Sequence, residues 1–270
     1  MPLTPSAPRI HYVEEGSSGQ PVLFVMGFGL TGEAWAPQVE DLSADHRCIV
    51  FDNRGVGRSE GSAAGWSVQD MADDSLRVLE ARGWERAHLV GVSMGGMIAR
   101  ELARAEPHRW ASLTLIASHA GGWRNMMPSP RALADFSRAQ VSSTEVRVAA
   151  LERLLFPDEW LAQIDRDDLF RRLRGRAGRG GRARRSIAAS QFQAVVRYGR
   201  RAESGALPMP TLIIKPARDV LVPPHNSDLL AERIHGSHLV TLEEAGHGAT
   251  LSHAELVNSA LRDHFAANPA

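Results

Sequence analysis

The stretch that most constrains this chain is His88-Leu89-Val90-Gly91-Val92-Ser93-Met94-Gly95-Gly96-Met97-Ile98. Leu89, Val90 and Val92 form a short apolar run with β-branched members, the composition of a strand buried on both faces. From Met97 the period changes: Met97, Ile98, Leu102 and Ala105 share one face of a helix that Pro107 ends. Ser93 therefore falls at the strand-to-helix switch, inside a Gly-x-Ser-x-Gly turn. Such a turn is tight enough that residues two positions away crowd the serine, and Gly91 and Gly95 are the residue type that removes the crowding. A serine in an unfavourable backbone conformation costs about 1–3 kcal/mol, which is tolerable where the conformation presents a nucleophile. The helix start beside it offers a backbone N–H and a positive dipole end to a developing oxyanion. The alternative is a glycine-rich βα turn of an ordinary doubly wound sheet.

A second glycine motif competes for the organising role. The strand Pro21–Val25 runs into Met26-Gly27-Phe28-Gly29-Leu30-Thr31-Gly32, which spells Gly-x-Gly-x-x-Gly, and Asp52 stands where a dinucleotide fold keeps its ribose-binding carboxylate. Against that reading, Pro37 would fall in the middle of the long helix such a fold requires, at a cost of ~3 kcal/mol. Pro37 fits better at the first position of a shorter helix carrying Val39 and Leu42. The loop Arg54-Gly55-Val56-Gly57-Arg58-Ser59 also has no evident use in dinucleotide binding, and Asp52 reads as a brace for its own turn. In folds with a strand–Ser–helix elbow, one oxyanion donor is the N–H after the serine and the other comes from the loop after an earlier strand. Those would be the backbone amides of Met94 and Phe28.

The rest of the chain alternates. Residues 9–15 fit an edge strand; Ser67 and Asp70 form a helix start followed by the apolar stripe Val68, Met71, Ala72, Leu76 and Leu79, with Gly83 as the stop. Further strands are predicted at Ser112–Ile116, Pro210–Ile214 and His238–Leu242, with a closing helix over Ala254–Phe265. The fold class is α/β: a mostly parallel central sheet with helices on both faces. Residues 120–205 contain helical patterns (Val146–Phe156, Ser186–Tyr198) but no convincing strand, and read as a helical cap that divides the core into 1–119 and 206–270. Within it, Arg171–Arg185 is a run of arginine and glycine. It reads as a solvated loop, or alternatively as a basic lid for an anionic substrate or an acyl carrier protein. Trp123, Phe136, Trp160 and Phe192 either line an apolar pocket or hold the cap together; Trp123 and Phe192 are the candidate substrate-binding residues.

Composition narrows the partners. Formal charge is zero, so neither nucleic acid nor another polyanion is implied, and the expected partner is a small-molecule substrate. The N-terminal stretch lacks a basic segment followed by an apolar one, and no run approaches the ~20 apolar residues of a membrane span, so a cytoplasmic protein without membrane contact is expected, as monomer or homodimer. Cys48 lies in the apolar run Cys48-Ile49-Val50-Phe51 and reads as core. His235 and His238 have a metal-like spacing, but no carboxylate pattern or second cysteine supports a metal site, and no cofactor is expected.

A serine hydroxyl needs a base within hydrogen-bond reach and a third group to orient that base. In open parallel sheets such groups gather beyond the carboxyl ends of the strands. Asp219 and His247 occupy two later strand ends, and the order Ser93, Asp219, His247 is the one expected. His119 and His225 are the rivals to His247, which is flanked by Gly246 and Gly248.

Together these residues resemble the α/β-hydrolase superfamily from Val22 to Phe265. The resemblance rests on Gly27-Phe28-Gly29, Asp52–Ser59, Gly91-Val92-Ser93-Met94-Gly95, Asp219-Val220-Leu221-Val222-Pro223 and Ala245-Gly246-His247. Within it the chain looks most like the capped esterases and enol-lactonases that act on small carboxylic esters. The resemblance implies Ser93 as nucleophile, His247 as base, Asp219 as its orienter, and the Phe28 and Met94 amides as oxyanion hole. One departure is Met26, where the family usually has a histidine that braces the oxyanion loop. The implied reaction is hydrolysis of a small ester or lactone through an acyl-enzyme. The alternatives are a thioesterase or a C–C bond hydrolase with the same triad, or a ligand-binding receptor with vestigial hydrolysis.

Overall fold

In the computed structural model, seven strands build one sheet: β1 (Tyr12–Glu15), β2 (Gln20–Val25), β3 (His46–Phe51), β4 (Ala87–Val92), β5 (Trp110–Ile116), β6 (Thr211–Pro216) and β7 (His238–Leu242). The structure describes residues 2–62, 65–122, 128–141, 144–166, 169, 185–199 and 207–270. The strand order is β1-β3-β2-β4-β5-β6-β7. Only the edge pair β1–β3 is antiparallel, with Tyr12 opposite Phe51; the other neighbours run parallel.

The continuous apolar strands follow from burial on both faces. Leu23, Val25, Leu89, Leu113 and Ile213 point into one apolar layer, with α2 (Val68–Ala81) and α3 (Met94–Ala105). Val22, Phe24, Val90, Val92, Leu212 and Ile214 point into the other, with α1 (Ala36–Leu42). Helix α1 starts late, after a 3-10 turn at Gly32–Trp35, with its proline in the first turn, so the unbroken helix that a dinucleotide fold requires does not form. Ser67 and Asp70 close a capping box on α2, and Gly83 follows the helix at φ +65°.

Between β5 and β6 the described residues carry four helices: α4 (Pro130–Val141), α5 (Thr144–Leu155), α6 (Asp158–Leu161) and α7 (Arg185–Gly199). Ala139 and Ala150 let α4 and α5 pack closely, and a buried acid joins the pair. Arg153 donates to Asp135 through Nε (3.0 Å) and Nη2 (2.8 Å), and this guanidinium holds the Asp135 carboxyl down at about 2. Trp160 stacks on Phe156 at 4.6 Å, so of the cap aromatics it serves packing. Helix α7 buries Ile187 against Val56 and Trp66, and Ala194 and Tyr198 in the main core. Trp123 and residues 171–184 of the arginine-glycine run lie outside the described residues. The chain closes with α8 (His225–Arg233), α9 (Ala249–Ser252) and α10 (Ala254–Ala267). No described helix is long and apolar enough to cross a membrane.

Candidate active site

Ser93 directly follows β4 with φ +55° and ψ −121°, a positive-φ conformation that non-glycine residues rarely adopt. The surroundings hold it there. Its N–H donates to the Ile116 carbonyl (2.9 Å), and its own carbonyl accepts from Ser118 Oγ and from Gly96 N–H (both 3.0 Å). The flanking glycines answer to close backbone approach. A Cβ on Gly95 would stand 2.1 Å from the Val25 carbonyl oxygen, and one on Gly91 would stand 2.4 Å from the Gly95 oxygen. Met94 is the first residue of α3, where N–H groups have no intrahelical acceptor.

The loop after β2 passes directly by the serine: a Cβ on Gly27 would lie 3.2 Å from Ser93 Cβ. Met26 does not brace this loop through its side chain, which is buried in the core. Instead Asn53 Nδ2 donates to the Met26 carbonyl (2.9 Å), Gly29 N–H donates to Gln191 Oε1 of α7 (3.0 Å), and Gly32 N–H donates to Asp52 Oδ1 (2.9 Å). Asp52 Oδ2 accepts from Arg58 N–H as well, so this carboxylate is a loop brace. Two of these supports were not singled out from sequence. Asn53 sits inside a recognised motif without its role being legible, whereas Gln191 is a polar residue on the otherwise apolar stripe Ile187, Ala194, Tyr198 and was detectable on that ground.

Asp219 follows β6 and His247 follows β7, so with Ser93 after β4 all three stand at the carboxyl edge of the sheet. His247 Nδ1 lies 2.7 Å from Asp219 Oδ2, and both side chains are buried. Asp219 Oδ1 accepts from the N–H groups of Leu221 and Val222, each at 2.8 Å. A carboxylate fixed this way accepts a proton-bearing Nδ1 and leaves His247 Nε2 as the basic nitrogen. The Arg218 N–H donates to the Ala245 carbonyl (2.9 Å), tying the two loops together. The cap holds the histidine loop from the other side: Gly248 N–H donates to the Leu155 carbonyl at 2.7 Å, and a Cβ on Gly248 would stand 2.5 Å from the Phe156 ring.

The rival histidines are engaged differently. His119 Nδ1 accepts from Gly121 N–H (2.8 Å), and His225 is exposed at the start of α8. Phe192 is 47 % exposed, with its ring 6.0 Å from Phe136, whose ring is 5.5 Å from Phe28. An aromatic row thus leads from the loop beside Ser93 onto the cap. A cavity of about 130 Å³ lies at the seam of cap and core, walled by Asp135, Arg153, Phe156, Arg218 and Gly246. Among the described residues no three His, Cys, Asp or Glu side chains gather as a metal would require.

Comparison with known proteins agrees with this architecture. The alpha/beta hydrolase fold family matches residues 20–254. A protein of Variovorax paradoxus (strain S110) named "Putative carbamate hydrolase RutD" is 32 % identical, covering 95 % of this chain and 96 % of its own. A thermophilic esterase from Thermogutta terrifontis superposes with a TM-score of 0.78 at 25 % identity, over 96 % of this chain and 95 % of the esterase. The enol-lactonase from Burkholderia xenovorans LB400 shares the fold, with a TM-score of 0.82 at 22 % identity over 98 % of this chain and all of the lactonase. The chain belongs to the α/β-hydrolase fold family.

Proposed function

We propose that this protein hydrolyses a small carboxylic ester or lactone through an acyl-enzyme on Ser93. His247 Nε2 takes the Ser93 proton as the oxygen attacks the carbonyl carbon. The amides of Phe28 and Met94 receive the oxyanion. His247 then returns the proton to the leaving oxygen, and water, deprotonated by the same nitrogen, releases the acid. The scheme uses no cofactor or metal, and the partner is the small-molecule substrate. The observation that carries it is the buried 2.7 Å contact between His247 Nδ1 and Asp219 at the same sheet edge as a serine held at φ +55°.

A carbamate is the second reading. Its carbonyl is attacked in the same way, and the likeness to the Variovorax protein named for carbamate hydrolysis favours it. The test is turnover of short p-nitrophenyl esters beside a matching p-nitrophenyl carbamate, with wild type and Ser93→Ala. Ester turnover that falls at least ~1,000-fold in Ser93→Ala supports the scheme. A clear preference for the carbamate moves the assignment to the second reading. Residual activity of Ser93→Ala near wild type overturns both.

A further inference from the structure

Phe28, whose N–H is the proposed oxyanion donor, stands between two glycines, Gly27 and Gly29. Glycine takes either sign of φ at little cost, so local backbone preference does not fix the direction of that donor. Gly29 has φ +69°, and a Cβ built on it would meet nothing within 4 Å, so no neighbouring wall sets its conformation either. Longer-range contacts have to do it. Ahead of Phe28, Asn53 Nδ2, from the loop after β3, donates to the Met26 carbonyl at 2.9 Å. Behind Phe28, the Gly29 N–H donates to Gln191 Oε1 of α7 at 3.0 Å. The Phe28 ring lies 5.5 Å from that of Phe136 on α4. Gln191 is wholly buried, and a hydrogen bond shielded from water holds its partners more firmly than an exposed one. The core thus grips the loop before the donor, and the helices between β5 and β6 grip it after.

We infer that Gln191 is a positioning residue for the oxyanion hole: by holding the Phe28–Gly29 peptide through Oε1, it keeps the Phe28 N–H aimed at the developing oxyanion. The inference rests on the acyl hydrolysis proposed above and deepens it. One of the two donors is held from α7, so the chemical step itself depends on how that helix is seated. Gln191 needs no contact with substrate for this, because it acts through Gly29 on the neighbouring residue. Oxyanion donors work by placement, and a displacement of about 1 Å can cost on the order of 100-fold in rate.

The test compares p-nitrophenyl acetate with p-nitrophenyl thionoacetate, in which sulfur replaces the carbonyl oxygen. Sulfur accepts hydrogen bonds weakly, so a well-placed oxyanion donor favours the oxygen ester. The readout is the oxygen-to-sulfur ratio of kcat/KM in wild type, Gln191→Leu, Gln191→Met and Gln191→Glu. Both rates scale with the same folded fraction, so the ratio does not move when a variant merely folds less well. Leu and Met remove the oxygen that accepts from Gly29, whereas Glu keeps one. The expected result is a ratio about tenfold lower in Gln191→Leu and Gln191→Met, through kcat more than KM, with Gln191→Glu within about threefold of wild type. An unchanged ratio with both esters slowed alike overturns the inference and leaves Gln191 as a packing residue. A ratio that falls as far in Gln191→Glu as in Gln191→Leu also overturns it, since the acceptor oxygen is then not what matters. A wild type that does not turn over p-nitrophenyl acetate overturns the acyl-hydrolysis reading, and this assignment with it.

Discussion

Along the carboxyl edge of the sheet, Ser93 and Asp219 are fixed by backbone hydrogen bonds from strand ends and tight turns. In the cap, Asp135, Gln191 and Phe136 are fixed by side chains that reach another helix or a distant loop. The first arrangement leaves little freedom, because Gly91 and Gly95, on either side of Ser93, have no room for a Cβ. The second can be altered one side chain at a time without disturbing the sheet. The comparison separates two ways of holding a side chain in place: backbone geometry at the sheet edge, and exchangeable side-chain contacts in the helices between β5 and β6.

The sharpest way to break this comparison is at Asp219. Because Oδ1 is held by two N–H groups, the amide of Asp219→Asn must turn its NH2 toward His247 Nδ1. That places the imidazole proton on Nε2, the nitrogen that has to accept, and kcat should fall about 10,000-fold with the fold intact. Steady-state kinetics with circular dichroism checks it, and a loss below tenfold would show that Asp219 does not set the tautomer.

A smaller effect distinguishes rigid from yielding neighbours. In Gly95→Ala the new methyl meets the Val25 backbone, which cannot move without the sheet, and roughly 3 kcal/mol or more of stability should be lost. In Gly248→Ala it meets mainly the Phe156 ring, at an ordinary φ of −82°, and the loss should stay near 1 kcal/mol. Urea denaturation of the two variants measures the difference. Equal losses would erase the contrast between core and cap.

A third effect is a pH dependence confined to the core. His88 is buried between Ser112 Oγ (2.8 Å) and Gln20 Oε1 (2.9 Å), stacked on Phe265, and burial pushes its pKa down to about 3. The unfolded chain takes up this proton near pH 6.5 and the folded one only near pH 3. Stability therefore falls as pH drops through that window, by up to about 1.4 kcal/mol per pH unit from this residue. His88→Gln should flatten that slope in urea midpoints taken at pH 7, 5.5 and 4, leaving what His11, His253 and His264, also held low by burial, contribute. An unaltered slope would mean that His88 is not the group responsible.

What was legible in the sequence divides along the same line. The elbow, the strand ends carrying Asp219 and His247, the Ser67 capping box and the late start of α1 at Pro37 all leave local signals, because each depends on residues a few positions apart. The Gln191–Gly29 bond joins residues 162 positions apart, and the Asp135–Arg153 pair joins two helices whose packing had first to be known. Met26 shows the limit from the other side. The absent histidine is visible in the sequence, but the support of the loop by Asn53 and Gln191 emerges only from the folded geometry.

The central claim is that Ser93 is a nucleophile activated by His247. The most direct measurement is labelling with a fluorophosphonate probe, with the modified residue located by peptide mass spectrometry, in wild type, Ser93→Ala and His247→Ala. The account predicts stoichiometric label on Ser93 in wild type, none in Ser93→Ala, and a rate reduced by orders of magnitude in His247→Ala. Label on another residue, or undiminished labelling of Ser93→Ala, would contradict it.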